Sequence, residues 1–222
     1  MRVIMGKGLL AANAGKARDN RLYLAQRNIT AINLISSPGA GKTTLLEGTL
    51  TRLGGRLKTA VIEGDLYTAL DAERLEDKAA SVVQINTEGV CHLNAAMVER
   101  AMQGLEAVQT VDLLVIENVG NLVCPAGFDL GEDFKVVLLS VAEGSDKPAK
   151  YRESFAAAQA VVITKVDLLP YTDFDLPGVL QTIREINPDL PVMVTSVRTG
   201  EGMEAWCEFL GQAVAAKKAG RA

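Results

Sequence analysis

Seven short apolar runs, each of strand length, limit the folds open to this chain. They span residues 31–35, 59–62, 81–85, 113–116, 136–141, 160–164 and 192–195. The runs are nearly continuous in Val, Ile, Leu and Ala, as strands covered on both faces require. Helical stretches over 43–54, 69–78, 92–107, 148–158, 176–187 and 202–217 separate them. Strands that alternate with helices build a mostly parallel sheet flanked by helices, an α/β architecture of three layers. Residues 7–27, rich in Ala, Leu, Lys and Arg and without Pro, add an amphipathic leading helix. We therefore expect a helical extension over 1–28 packed on a single domain over 29–222. The stretch 170–177 reads as an ordered connection, not a boundary.

In such sheets, ligands bind beyond the carboxyl ends of the strands. The first run ends in Ser36-Ser37-Pro38-Gly39-Ala40-Gly41-Lys42-Thr43-Thr44. A strand, a loop of small residues, then a helix opening on Gly-Lys-Thr is the phosphate-binding P-loop pattern. Ser36 stands where that pattern has its first Gly. The backbone N–H groups of Gly39, Ala40, Gly41, Lys42, Thr43 and Thr44 would surround phosphates at the positive end of the helix. Lys42 would reach the β and γ phosphates, and the Thr43 hydroxyl would ligate Mg²⁺.

The run 160–164 leads into Thr164-Lys165-Val166-Asp167, close to an Asn-Lys-x-Asp guanine motif with Thr in place of Asn. A carboxylate at Asp167 can accept both N–H groups of guanine's Watson–Crick edge, whereas adenine offers one. A site built for two donors rejects the wrong base strongly. Lys165 can lie along the base plane. Ser196 and Val197, after the last run, sit where backbone N–H groups would meet the base oxygen. GTP is therefore expected over ATP.

Two acids complete the site. Asp65 follows the second run in Glu63-Gly64-Asp65 and is the first choice to orient water or bind near Mg²⁺. Glu117 opens Glu117-Asn118-Val119-Gly120, where Gly120 N–H can sense the γ-phosphate. Lys42, Asp65 and Glu117 are the candidate catalytic residues. No glutamine or arginine finger is evident, so unaided turnover should be slow, about 10⁻⁴–10⁻² s⁻¹.

Cys91 and His92, the only histidine, begin one expected helix; Cys124 follows Glu117. Both places lie past strand ends. Two thiolates and an imidazole make an N/S site for Ni²⁺ or Zn²⁺, although such residues also occur as buried structure. Cys207, in Trp206-Cys207-Glu208-Phe209-Leu210, reads as core. Three cysteines suit reduced thiols better than a disulfide framework. The net charge is −4 and no basic stripe appears, so nucleic acid is not expected. No run approaches the roughly 18 apolar residues of a membrane span. With no signal-peptide pattern at the N-terminus, a cytoplasmic protein is expected.

The chain resembles a known family along residues 30–210. The resemblance is carried by Ser37-Pro38-Gly39-Ala40-Gly41-Lys42-Thr43-Thr44-Leu45, Val61-Ile62-Glu63-Gly64-Asp65 and Asn86-Thr87-Glu88-Gly89-Val90-Cys91-His92-Leu93. It continues through Ile116-Glu117-Asn118-Val119-Gly120-Asn121-Leu122-Val123-Cys124-Pro125, Glu143-Gly144-Ser145-Asp146-Lys147-Pro148 and Lys165-Val166-Asp167-Leu168-Leu169-Pro170-Tyr171. These resemble HypB, the GTPases that help insert nickel into nickel–iron hydrogenase. The resemblance implies a SIMIBI-class P-loop fold and a homodimer promoted by GTP. It implies a nickel or zinc site at the dimer interface from Cys91, His92 and Cys124, and a contact of Lys147 with the partner subunit's nucleotide. It also implies a HypA-like nickel-binding partner and delivery to the hydrogenase large-subunit precursor. The cysteine-rich or histidine-rich nickel stores of some members have no counterpart here: no Cys precedes 91 and no second His exists. The urease counterpart, UreG, has Cys-Pro-His as its metal motif; here Ala126 follows Cys124-Pro125.

Overall fold

A computed structural model describes residues 7–66, 70–105 and 110–220. Among these residues, seven strands form one sheet: β1 (Thr30–Ser36), β2 (Thr59–Asp65), β3 (Ser81–Asn86), β4 (Leu113–Glu117), β5 (Phe134–Ser140), β6 (Ala160–Thr164) and β7 (Val192–Val194). Their order is β3-β2-β4-β1-β5-β6-β7, and every pairing is parallel. All residues of β1, β4 and β6 are buried, which explains why these runs show no polar alternation. The edge strands β3 and β7 are only partly covered.

Among the described residues, eight helices connect and flank the strands: α1 (Lys7–Ala25), α2 (Lys42–Leu53), α3 (Leu70–Glu76), α4 (Ala95–Gly104), α5 (Lys147–Lys150), α6 (Arg152–Ala157), α7 (Leu176–Ile186) and α8 (Met203–Lys218). On one face α2 and α8 cover the sheet, with Trp206, Leu210 and Leu45 against Ile32, Leu34 and Val115. Trp206 satisfies its indole N–H on Thr49 Oγ1 at 2.9 Å. On the other, Leu24 of α1 and Val98 and Met102 of α4 meet Ala60, Ile62 and Leu114. Phe155, Val179 and Ile183 cover β5 and β6. Each fully buried Val, Leu or Ile contributes about 1.5–3 kcal/mol, so the sheet is a rigid platform.

Local chemistry moved several boundaries. The helix expected from residue 92 begins at Ala95, because Asn94 caps it by accepting Met97 N–H at 3.0 Å. Its expected end, 106–107, lies outside the described residues, as does 69 at the start of the helix expected over 69–78. The helix expected over 148–158 is two, broken at Tyr151, whose φ −115° and ψ 41° are not helical. Short 3₁₀ segments of one or two turns at Cys124–Gly127, Val141–Glu143 and Val166–Tyr171 are too short to leave a periodic signal. Among the described residues, no helix is long and apolar enough to cross a membrane.

Candidate functional site: a nucleotide cleft and a thiol–imidazole cluster on one rim

The carboxyl ends of β1, β2, β4 and β6 deliver Ser36, Asp65, Glu117 and Thr164 to one rim of the sheet. A cleft of about 420 Å³ opens there, lined by Gly39, Gly41, Lys42, Thr43, Glu117 and Gly120 among others. Gly41 caps α2 at φ 93°, a left-handed conformation open to glycine at little cost. Ser36 needs no such freedom: it is the last, extended residue of β1, and its Oγ accepts Lys42 Nζ at 3.0 Å. That is why Ser is tolerated where the pattern has Gly. A Cβ on Gly120 would lie 3.0 Å from Pro38, so the Glu117–Gly120 turn packs directly on the phosphate loop.

The charges in this cleft are concentrated and buried. Parallel register sets Glu63 beside Glu117 on adjacent strands. Burial first, then the carboxylates of Glu117, Asp65 and Asp71, push the Glu63 pKa up to about 8. Burial also raises Glu117, against the pull of Lys42 and a Thr43 hydroxyl that donates to Glu117 Oε1 at 2.7 Å. Burial lowers Lys42, with Glu117 and Glu63 opposing. One oxygen each of Glu63 and Glu117 is buried without a hydrogen-bond partner. Orphaned carboxylate oxygens beside a threonine hydroxyl are a hard-oxygen donor set that fits a Mg²⁺ ion. Glu63, Asp65 and Asp71 bring oxygens within 4.8 Å of one another.

Two cleft residues had no sequence signal of their own. Asp71 and Arg74 stand on α3, a short helix outside any recognised motif. Arg74 places a guanidinium in the cleft wall, held by Glu47 at 2.6 Å and Asp71 at 3.1 Å and donating to Thr44 Oγ1 at 3.2 Å.

Beside the phosphate loop, a second hollow is lined by Ala40, Thr44, Lys165, Asp167, Leu168 and Val197. Lys165 adopts φ 60° and reaches back to donate to Gly39 O at 2.6 Å, tying this hollow to the phosphate loop. Thr164 makes a parallel tie, its hydroxyl donating to Ala40 O at 2.7 Å. Ser196 donates its hydroxyl to Asp167 Oδ1 at 2.6 Å, while its backbone N–H is taken by Glu201 O at 2.9 Å. Ser196 therefore orients the Asp167 carboxylate, and the backbone face toward the hollow falls to Val197.

Cys91, His92 and Cys124 converge, with ligand atoms within 4.8 Å of one another. The two Sγ atoms are 3.1 Å apart, and Cys91 Sγ is 3.6 Å from His92 Nδ1. Cys91 is exposed, so an ion can reach the cluster. Its thiol pKa is raised by the Cys124 contact and by burial, and burial lowers that of the His92 imidazole. Binding a soft divalent ion would release thiol protons while the imidazole stands ready as a ligand. Cys207, by contrast, is buried in the core as expected.

Two asparagines that sequence reasoning passed over join the cluster to the cleft. Asn121 donates to Cys91 O at 3.3 Å and accepts Val123 N–H at 2.7 Å and Cys124 N–H at 3.4 Å. Its backbone bridges Ser36 of the phosphate loop. Asn118 accepts Leu93 N–H and Val119 N–H, each at 3.0 Å, and donates to Asn33 at 3.1 Å. Their position after a strand-ending acid, in Glu117-Asn118-Val119-Gly120-Asn121, was the only available hint.

Comparison with known proteins agrees with this geometry. Residues 30–194 match the family described as CobW/HypB/UreG, nucleotide-binding domain. A hydrogenase maturation factor HypB from Rhizobium leguminosarum bv. viciae is 48% identical over 92% of this chain and 68% of its own length. A hydrogenase/urease maturation factor HypB from Helicobacter hepaticus is 42% identical, over 92% of this chain and 85% of its own. Crystallised HypB from Helicobacter pylori, in complex with nickel, superposes with TM-score 0.87 at 37% identity, covering 95% of this chain and 97% of that one. HypB from Archaeoglobus fulgidus does so with TM-score 0.87 at 36% identity, over 92% and 100%. A P-loop with a paired Cys-His and a distant Cys on the same rim, together with these likenesses, places the chain in the HypB branch of the CobW/HypB/UreG nucleotide-binding family.

Proposed function

We propose that this chain is a GTP-binding and GTP-hydrolysing nickel metallochaperone that serves hydrogenase maturation. The observation that carries this reading is the shared rim: Asn121 contacts both cysteine segments and bridges Ser36 of the phosphate loop. Whatever moves the phosphate loop must move the thiols.

In this reading Gly39 to Thr44 cradle the phosphates and Lys42 neutralises their charge. Asp167 accepts the guanine N–H pair, Ser196 fixes that carboxylate, Lys165 flanks the base, and Val197 N–H meets the base oxygen. Gly120 N–H senses the γ-phosphate. Asp65 orients the attacking water, and Thr43 and Asp65 are the residues that would hold Mg²⁺. Held there, that ion would supply positive charge against the phosphates. Glu117 orients the Thr43 hydroxyl it already accepts. Cys91, His92 and Cys124 carry nickel as cargo, or zinc in its stead. Three ligands leave a coordination position open, which suits transfer of the ion or its sharing across a two-fold interface.

A homodimer promoted by GTP brings two such clusters together. A HypA-like nickel-binding protein and the hydrogenase large-subunit precursor are the partners. Likeness to the hydrogenase/urease maturation factor HypB of Helicobacter hepaticus favours urease as a second destination; Ala126 after Cys124-Pro125 counts against it.

Titration of nickel with GDP and with a non-hydrolysable GTP analogue tests the reading. Linkage requires that a nucleotide which changes nickel affinity is itself bound with an affinity changed by nickel, by the same factor. We expect unequal nickel affinities and a larger particle by light scattering with the analogue. Equal affinities in the two states would remove the coupling.

A further inference from the structure

The leading helix α1 spans both segments that carry the thiol–imidazole cluster. Asn13 and Asn20 are seven residues apart, two helical turns, and so share one face. Each touches the same two places. Asn13 accepts Ala95 N–H at 2.8 Å and donates to Asp129 O at 2.7 Å. Asn20 donates to Ala95 O and to Leu130 O, both at 2.9 Å. Ala95 lies three residues after His92, and Asp129 five after Cys124.

The fit is close. Asn20 is 1% exposed. Gly131, at φ 93°, has no room for a side chain: a Cβ there would meet Asn20 Cβ at 2.5 Å and Ala17 O at 2.7 Å. Arg21 adds an ion pair to Asp129 at 2.7 Å. Phe128, next to Asp129, packs its ring 4.0 Å from that of His92. Position is therefore passed from α1 through Asp129 and Phe128 to the imidazole, and through Ala95 to the Cys91-His92 turn.

We infer that α1 is a latch for the metal cluster, with Asn13 and Asn20 as positioning residues that fix the spacing of Cys91 and His92 from Cys124. The inference rests on the metal reading above. Outer contacts that orient ligands are typically worth 10–100-fold in metal affinity. A site assembled from two loops needs such a brace, because neither loop alone holds both thiols.

The test uses the whole chain and compares wild type with Asn13→Ala, Asn20→Ala, Lys16→Ala and Cys124→Ser. Lys16 also ties α1 to α4, through Glu99 at 2.9 Å, but touches neither cluster segment. Ni²⁺ affinity, the thiolate charge-transfer band of the Co²⁺ form and metal-free GDP affinity are measured for each. We expect the two asparagine variants to lose about 10–100-fold in Ni²⁺ affinity and to show a weakened, shifted band. GDP affinity stays as in wild type, and Lys16→Ala changes none of the three.

Asparagine variants that bind GDP and still bind Ni²⁺ like wild type overturn the latch. So does an equal loss in Lys16→Ala, which would make any docking contact sufficient. If Asn20→Ala does not fold, Asn13→Asp decides: it keeps the acceptor for Ala95 and loses the donor to Asp129 O. Wild-type nickel affinity in that variant overturns the proposal. If Cys124→Ser binds Ni²⁺ as tightly as wild type, the metal reading itself falls; loss there with retention in the asparagine variants sinks the latch alone.

Discussion

Replacing Asn118 with Ala tests whether the polar network beneath the rim holds the two ligand sites together. Asn118 is 1% exposed and its side chain makes three hydrogen bonds: from Leu93 N–H, from Val119 N–H and to Asn33 Oδ1. Asn33 in turn donates to Glu132 at 3.3 Å, and Glu132 accepts Leu130 N–H at 2.6 Å. Truncation strands these groups where water does not easily reach. Each partner left unpaired costs about 1–3 kcal/mol, so taking values near the low end the three together cost about 3–4 kcal/mol. For a domain of this size each kcal/mol moves the melting temperature by about 2–4 °C, giving a drop of about 6–16 °C. Urea denaturation of the metal-free, reduced protein measures the free-energy loss, and calorimetry the temperature. Asn33→Ala and the double variant close a thermodynamic cycle, in which neighbours should fail to add by about 0.5–3 kcal/mol. A loss under about 1 kcal/mol, or strict additivity, would show that the network does not act as a unit.

Three further outcomes follow from named contacts. Asp167→Asn should weaken GTP by on the order of 10³-fold and favour xanthosine triphosphate, whose base oxygen accepts from an amide; competition binding reads both, and unchanged GTP affinity refutes the base pocket. Thr164→Val removes a buried hydroxyl from Ala40 O. It should cost about 1–3 kcal/mol by denaturation and slacken nucleotide binding; a neutral result would make that tie incidental. For Asp112, burial raises the carboxyl pKa, but Lys218 and the Lys58 N–H outweigh it and the net shift is downward. Its stabilisation is complete above the unfolded value and is lost as pH falls through the lower folded value. Asp112→Asn should flatten the acid limb of a stability–pH curve below about pH 4, by no more than about 1 kcal/mol for so exposed a pair.

Much of this molecule was readable from order along the chain. Strands buried on both faces leave unbroken Val and Ile runs, so all seven were visible, with ends within two residues except at β2, which runs three residues further, to Asp65. The phosphate loop, Thr164-Lys165-Val166-Asp167 and the Cys-His pair are local patterns whose chemistry does not depend on partners far away. Asp71 and Arg74 were hidden because an acid and a base on an exposed helix look alike whether they face solvent or a cleft. Asn118 and Asn121 were hidden because an asparagine side chain serves any loop equally well until its neighbours are placed.

The sequence by itself determined the parallel sheet, the phosphate-loop pattern and the pairing of Cys91 with His92, since each follows from periodicity or from a short motif. Only the tertiary structure decided that Cys91 and Cys124 stand 3.1 Å apart and that Glu63 lies beside Glu117. It also decided that α1 grips both segments that carry the thiol–imidazole cluster. The physical reason is common to all three: strand order and register, set by how the apolar faces pack, bring together residues that the linear chain keeps tens of positions apart.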